Sequence, residues 1–219
     1  VLYNTGHYPN GQTHPDFDNV VRTPGYPIFI YCVWQLLGKG SWSIVTAQVF
    51  LSGLSIVIWV KIAEVLKDRK VAFVLGILLI FDFQLFFYSH FIMTESIFVL
   101  LISALALSVH GIKTKTELNQ SPLFFYVLAG LTLVALPYVR PIAYPLPALL
   151  CLFAMVFWKW FGPTRSIAAL RMIVLFICCY TGLVAWQIHN YNTSQTWVFS
   201  SISQFSARFV AYGIGKMAY

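Results

Sequence analysis

Charged side chains make up 10% of this 219-residue chain, so each one set against an apolar run marks a place to look for chemistry. Arg140 is the clearest. It stands in Pro137-Tyr138-Val139-Arg140-Pro141, between two apolar stretches, and a charge at mid-bilayer costs roughly 2.5 to 3.5 kcal/mol. The preceding stretch is too short to carry its end fully to the far surface, so the turn is expected below that face, where irregular backbone lines a cavity. Arg140 is then expected to point into an external cavity; the ordinary alternative is an arginine snorkelling to headgroups. Arg22 occupies a second such position, directly before Thr23-Pro24-Gly25-Tyr26-Pro27. Two prolines fix φ and remove two donors, and Gly25 tolerates φ > 0, so the stretch reads as a rigid bend that starts a helix.

The acids are fewer. Asp82 falls in the last turns of an apolar segment, where an unpaired carboxylate neutralises or seeks a cation or metal. Glu95 has ordinary support at a helix start, from the positive helix end and from capping by Thr94 or Ser96. His90 lies between Asp82 and Glu95. Asp16 and Asp18 offer the hard oxygens a divalent cation favours, with His7 and His14 nearby, although in a polar loop such a pair is more often a solvated turn. The segment from Trp186 carries His189, Asn190, Tyr191, Gln204 and Arg208 without a convincing Ser-His-Asp or Cys-His order. Asn192-Thr193-Ser194 is a glycosylation triplet of a kind that arises often by chance.

Composition fixes the setting. The chain is 59% hydrophobic with mean hydropathy +0.75, whereas about a quarter of a soluble domain is charged. That excludes a water-soluble domain and implies a polytopic membrane protein, whose partner is the lipid bilayer and whose helices satisfy their own backbone. The net charge of +7 concerns loop orientation. Its basic residues lie in short loops, with no basic helix face and no nucleic-acid motif, so no nucleic acid is expected as a partner. Cys32, Cys151, Cys178 and Cys179 all lie in apolar runs and act as small hydrophobes, without disulfide or metal spacing.

An all-α bundle of about six transmembrane helices plus a juxtamembrane helix is expected. Residues 1–42 form part of a first extracytoplasmic loop, 43–191 the transmembrane bundle and 192–219 a further extracytoplasmic segment. The helix over 24–37, at about 21 Å, is too short to span and is expected as an interfacial or re-entrant helix. Crossings are expected at 43–66, 71–89, 95–112, 123–136, 141–160 and 170–191. Lys61, Lys67, Arg69, Lys70, Lys113, Lys115, Lys159, Arg165 and Arg171 fall on one side, which the positive-inside rule makes cytoplasmic. Both ends then lie outside. Because no apolar targeting segment opens the chain at Val1, at least one helix is expected upstream in the parent protein.

Several stretches, in order, resemble GT-C class membrane glycosyltransferases, which take sugar from a polyprenyl-phosphate carrier and include protein O-mannosyltransferases and the aminoarabinose transferases that modify lipid A. The stretches are Gly6-x-Tyr8 followed by Arg22 to Pro27, Phe87-Tyr88-Ser89 through Thr94-Glu95, Gly130-Leu131 through Arg140-Pro141, and Trp186 to Tyr191 with Ser200-Ser201 beyond. The resemblance implies a GT-C-like fold with a large first external loop over a cavity, in the bacterial inner membrane or an equivalent, with the site facing the extracytoplasmic side. The donor would be a polyprenyl-phosphate sugar, the acceptor a lipid, glycan or protein, and the transfer inverting. The family's base is an aspartate early in that loop, which would lie upstream of Val1, so Asp16 and Asp18 are poor candidates for it. Arg22, Tyr26, Arg140, His189 and Tyr191 would bind substrate or phosphate, and Glu95, Asp82 and His90 would line the acidic part of the cavity or hold a metal. The chain departs from the family where Leu-Thr-Arg-Pro is usual before the turn, where His189 replaces the arginine of Arg-Asn-Tyr, and in lacking the several helices that usually follow. A transporter or channel lined by Asp82 and Arg140, or a non-catalytic membrane scaffold, are the competing expectations; no inverted symmetry is evident between halves.

Overall fold

The computed structural model describes residues 23–194 together with 197, 199 and 200. Arg22, the opening-loop histidines and aspartates, Gln204 and Arg208 therefore lie outside the described residues. Among the described residues every regular element is helical: α1 (Gly25–Leu37), α2 (Ser41–Leu66), α3 (Arg69–Ile80), α4 (Phe83–His90), α5 (Glu95–Glu117), α6 (Leu123–Val139), a 3-10 turn (Pro141–Ala143), α7 (Leu146–Val156), α8 (Trp158–Phe161) and α9 (Arg165–Ser194). Three of them, α2, α5 and α9, are long and apolar enough to cross a membrane. The shorter apolar helices are α1, α6 and the segment Pro141–Val156.

Local chemistry sets the helix ends. Gly38, at φ 87°, closes α1 in a backbone conformation that L side chains rarely adopt, and its N–H donates to Trp34 O. Asp68 caps α3 by accepting from Val71 N at 2.8 Å, as a short acceptor at an N-cap should. Arg140 is extended, at φ −140° and ψ 116°, because the following Pro141 disfavours the helical region for the residue before it.

Two expected helices are corrected. The stretch 71–89 is interrupted at Phe81–Asp82, giving a 12-residue and an 8-residue helix. The physical reason is Asp82, whose short polar side chain favours a break over an apolar helix interior. The stretch 141–160 likewise becomes a 3-10 turn and two helices separated at Phe157. In the other direction α9 runs for 30 residues, from Arg165 rather than from about 170. Thr164 extends it by accepting from Ile167 N at 3.3 Å.

Packing is inverted relative to a soluble bundle. Gln48, Ser52, Ser55, Ser103, Ser108 and Thr132 are buried between helices, while Phe50, Leu54, Phe73, Leu78, Leu131 and Ile173 face outward. The buried hydroxyls of Ser55, Ser103, Ser108 and Thr132 return to the carbonyl four residues back, which satisfies them without a second helix. Outward apolar and inward small or polar residues are what a lipid solvent selects. A core of Ile112, Ala129, Leu133, Phe161, Met172, Leu175 and Cys179, with Ala154 and Ala168, joins α5 to α9.

The bundle has two chemically distinct ends. At one, Tyr126 of α6 and Arg171 of α9 both donate to the Phe161 carbonyl, at 2.6 and 3.0 Å. Lys113 of α5 lies over the Trp160 ring. The other end gathers the starts of α1, α2 and α5 and the ends of α6 and α9, and holds Arg140.

Candidate functional site

The Arg140 end is assembled by three contacts between segments far apart in sequence. The first joins α1 to α6: a Cβ built on Gly25 would lie 2.5 Å from Tyr138 O, 2.7 Å from Tyr138 C and 2.9 Å from Val139 N. Gly25 is thus required by close backbone approach, which seats the Thr23-Pro24-Gly25-Tyr26-Pro27 bend directly on the end of α6. The second joins α2 to the start of α5 through Gln48, which is fully buried. Its Nε2 donates to the Met93 carbonyl and, at 3.5 Å, to the Tyr26 hydroxyl. The third is an ion pair between Arg140 Nη1 and Glu95 Oε1 at 3.4 Å.

That pair is half open: the Arg140 side chain is 40% exposed and that of Glu95 22%. The guanidinium also lies over the Phe98 ring, 5.4 Å from its centroid, a favourable cation–π placement. Thr94 Oγ1 donates to Glu95 Oε2 at 3.4 Å, and Glu95 sits in the first turn of α5, where the helix N-terminus favours a carboxylate. A cation held by ring, carboxylate and extended backbone, with part of its fork still exposed, can take an anion. Burial, the Glu95 carboxylate and, in the opposite direction, the Gln48 bond act together on the Tyr26 phenol, which is pushed from its ordinary 10 up to about 12. Tyr26 is therefore a neutral hydroxyl at any physiological pH.

The end of α9 closes one side. Tyr138 donates to Gly182 O at 2.8 Å and its ring meets Trp186 and Phe199, with centroids at 5.9 and 5.7 Å. Trp186 Nε1 and the buried Asn190 amide both donate to Phe199 O at 3.1 Å. His189 stacks on Trp186 at 5.1 Å and Tyr191 packs on Trp197 at 5.7 Å. His189 is thus linked to the Arg140 turn through the Tyr138–Trp186 aromatic pair, while Tyr191 is seen against Trp197.

Of the expected residues, Tyr26, Glu95 and Arg140 come together. Asp82 is half-buried at the break between α3 and α4. His90 is at the end of α4, its Nδ1 3.1 Å from Ser89 Oγ. Asp82, His90 and Glu95 do not form a metal set, and among the described residues no group of three or more His, Cys, Asp or Glu side chains could hold a metal ion. Glu95 is turned to Arg140 instead. Two contributors are absent from the sequence reading: Gln48, whose one signal is an amide inside an otherwise apolar helix, and Phe98, which carries no sequence signal as a ring beneath a guanidinium.

Fold and site together define a helical membrane protein with a cation–carboxylate pair at one end of its bundle. Comparison with protein-family models, with curated proteins and with solved structures gives no match to this chain.

Proposed function

We propose that this chain belongs to a GT-C-like membrane glycosyltransferase, with about six crossings, that moves a sugar from a polyprenyl-phosphate donor to an extracytoplasmic lipid, glycan or protein. The observation that carries the reading is the Arg140–Glu95 pair packed against the Gly25–Pro27 bend. Two stretches that resemble the family's phosphate-binding motifs, more than a hundred residues apart, thereby share one end of the bundle. In the transfer, an acceptor oxygen or nitrogen bonds to the anomeric carbon as the carbon–oxygen bond to phosphate breaks, and the leaving polyprenyl phosphate takes the electron pair. Arg140 stabilises that charge as it develops. Glu95 and Phe98 hold the guanidinium in place, and Tyr26 supplies a neutral donor beside it. The acceptor proton passes to a carboxylate base, which in the resembling family is an aspartate early in the first external loop.

Binding tests the reading without knowledge of the sugar. The complete protein in detergent is titrated with a polyprenyl monophosphate and, separately, with the corresponding polyprenol, and bound lipid is counted by native mass spectrometry. The phosphate form should bind at least tenfold more tightly than the alcohol, and Arg140→Gln should remove that preference while Arg140→Lys retains part of it. Equal binding of the two lipids by the parent protein would sink the proposal.

A further inference from the structure

The opposite end of the bundle holds a second set of cations that the proposed chemistry does not use. Lys159 Nζ and the Arg165 guanidinium both lie 5.9 Å from the Trp158 ring centroid, and Lys113 Nζ lies 4.9 Å from that of Trp160. Arg171 lies 5.6 Å from the Tyr126 ring and is anchored by its bond to the Phe161 carbonyl. The short helix α8 is the hub. Its exit is rigid, since a Cβ on Gly162 would fall 2.8 Å from Ala168 N, and Phe161 and Ala168 are buried in the core. Acidic compensation is sparse: among the described residues the ion pairs are Lys61–Glu64, Lys113–Glu117 and Arg140–Glu95. Lys159, Arg165 and Arg171 therefore carry no carboxylate partner among them. Lys159 and Arg165 are exposed.

We propose that this corner binds the phosphate of an anionic phospholipid in the leaflet it faces. Helices α5 and α9, both long and apolar enough to cross a membrane, carry Lys113, Arg165 and Arg171 at the same end, and tryptophan with Lys or Arg is the side-chain mixture that settles at headgroup depth. The rings orient the cations without neutralising them, arginine forks match phosphate oxygens, and cations set between transmembrane helices are suited to lipid headgroups. The lipid tails would run along the outward apolar face of α9, where Ile173, Val174 and Ile177 are exposed.

The test titrates the complete protein in detergent with phosphatidylglycerol or phosphatidylcholine, following bound lipid by native mass spectrometry and stability by the unfolding temperature. Phosphatidylglycerol should bind and stabilise, and phosphatidylcholine should not. Each cation near an anionic headgroup contributes about fivefold, so the double variant K159Q/R165Q, at two exposed positions, should bind phosphatidylglycerol about thirtyfold more weakly. Lys39→Gln, remote from the corner in α1's closing turn, should leave the affinity unchanged. Equal binding of the two lipids by the parent protein, an unaltered affinity in K159Q/R165Q, an equal loss in Lys39→Gln, or equal stabilisation by glycerol phosphate alone would each overturn the proposal.

Discussion

Replacing Gly25 by alanine tests the joint on which the Arg140 end depends. The added methyl would sit 2.5 Å from Tyr138 O and within 3 Å of Tyr138 C and Val139 N. All three are backbone atoms that no rotamer change can move. Optimal non-bonded separations are about 3.5 to 4 Å, so α1 and the end of α6 must part by on the order of 0.5 to 1 Å. Overpacking of this kind costs typically 1 to 3 kcal/mol, and a contact made wholly by backbone belongs at the upper end, about 3 kcal/mol. For a chain of this size that is a fall of roughly 6 to 12 °C in unfolding temperature, followed through the chain's tryptophan fluorescence. Gly53→Ala is the control. Nothing lies within 4 Å of its added Cβ, and alanine is favoured over glycine in a helix interior by about 0.5 to 1 kcal/mol, so that variant should melt at or above the parent temperature. A Gly25→Ala protein as stable as the parent would refute the close approach of α1 and α6, and with it the shared site. A shift of that size two residues before Arg140 should also lower turnover by on the order of a hundredfold.

Three further perturbations separate the contacts. Because the Tyr26 phenol is held near 12 in the folded chain against 10 unfolded, its contribution to stability is complete below pH 10 and is lost as pH rises from 10 to 12. With screening at a half-buried site the loss is on the order of 1 kcal/mol, and Tyr26→Phe should flatten that part of the unfolding temperature profile; an identical alkaline fall in the variant would contradict the assignment. Glu95→Gln removes the pair with Arg140, which is partly open to solvent and worth at most about 1 kcal/mol, so it should lower the unfolding temperature by less than about 4 °C, and a larger fall would mean that the pair is far more desolvated than its exposure indicates. Tyr126→Phe leaves the Phe161 carbonyl bonded to Arg171 and should cost about 1 kcal/mol; a loss above about 3 kcal/mol in thermal unfolding would show that Arg171 cannot hold that carbonyl alone.

Much of the helical order was legible because apolar runs and their punctuation are local. Pro24-Gly25 and the Arg140-Pro141 pair act within a few residues of themselves, and each marks an end found in the structure. The break at Asp82 was less legible, since a single aspartate in a long apolar run is weighed against many favourable neighbours. At the site, Glu95 and Arg140 were singled out because a charge beside lipid must have a reason. That they face each other, and that Glu95 does not join Asp82 and His90, depends on how α5, α6 and α4 pack, which no local pattern encodes. Gln48 shows the limit best: one amide in α2 connects the Met93 carbonyl with the Tyr26 hydroxyl, yet in sequence it is a lone polar residue in a hydrophobic helix.

The central claim, that the Arg140 end transfers sugar from a polyprenyl-phosphate donor, is tested most directly by turnover. The complete protein is reconstituted with polyprenyl-phosphate-linked sugars and cell-envelope acceptors, and release of polyprenyl phosphate is followed by mass spectrometry. The parent protein should release it in an acceptor-dependent way, and Arg140→Gln, inserted and folded normally, should lose on the order of a hundredfold or more, as expected for removing one contact to the developing charge. Undiminished release by Arg140→Gln would contradict the account.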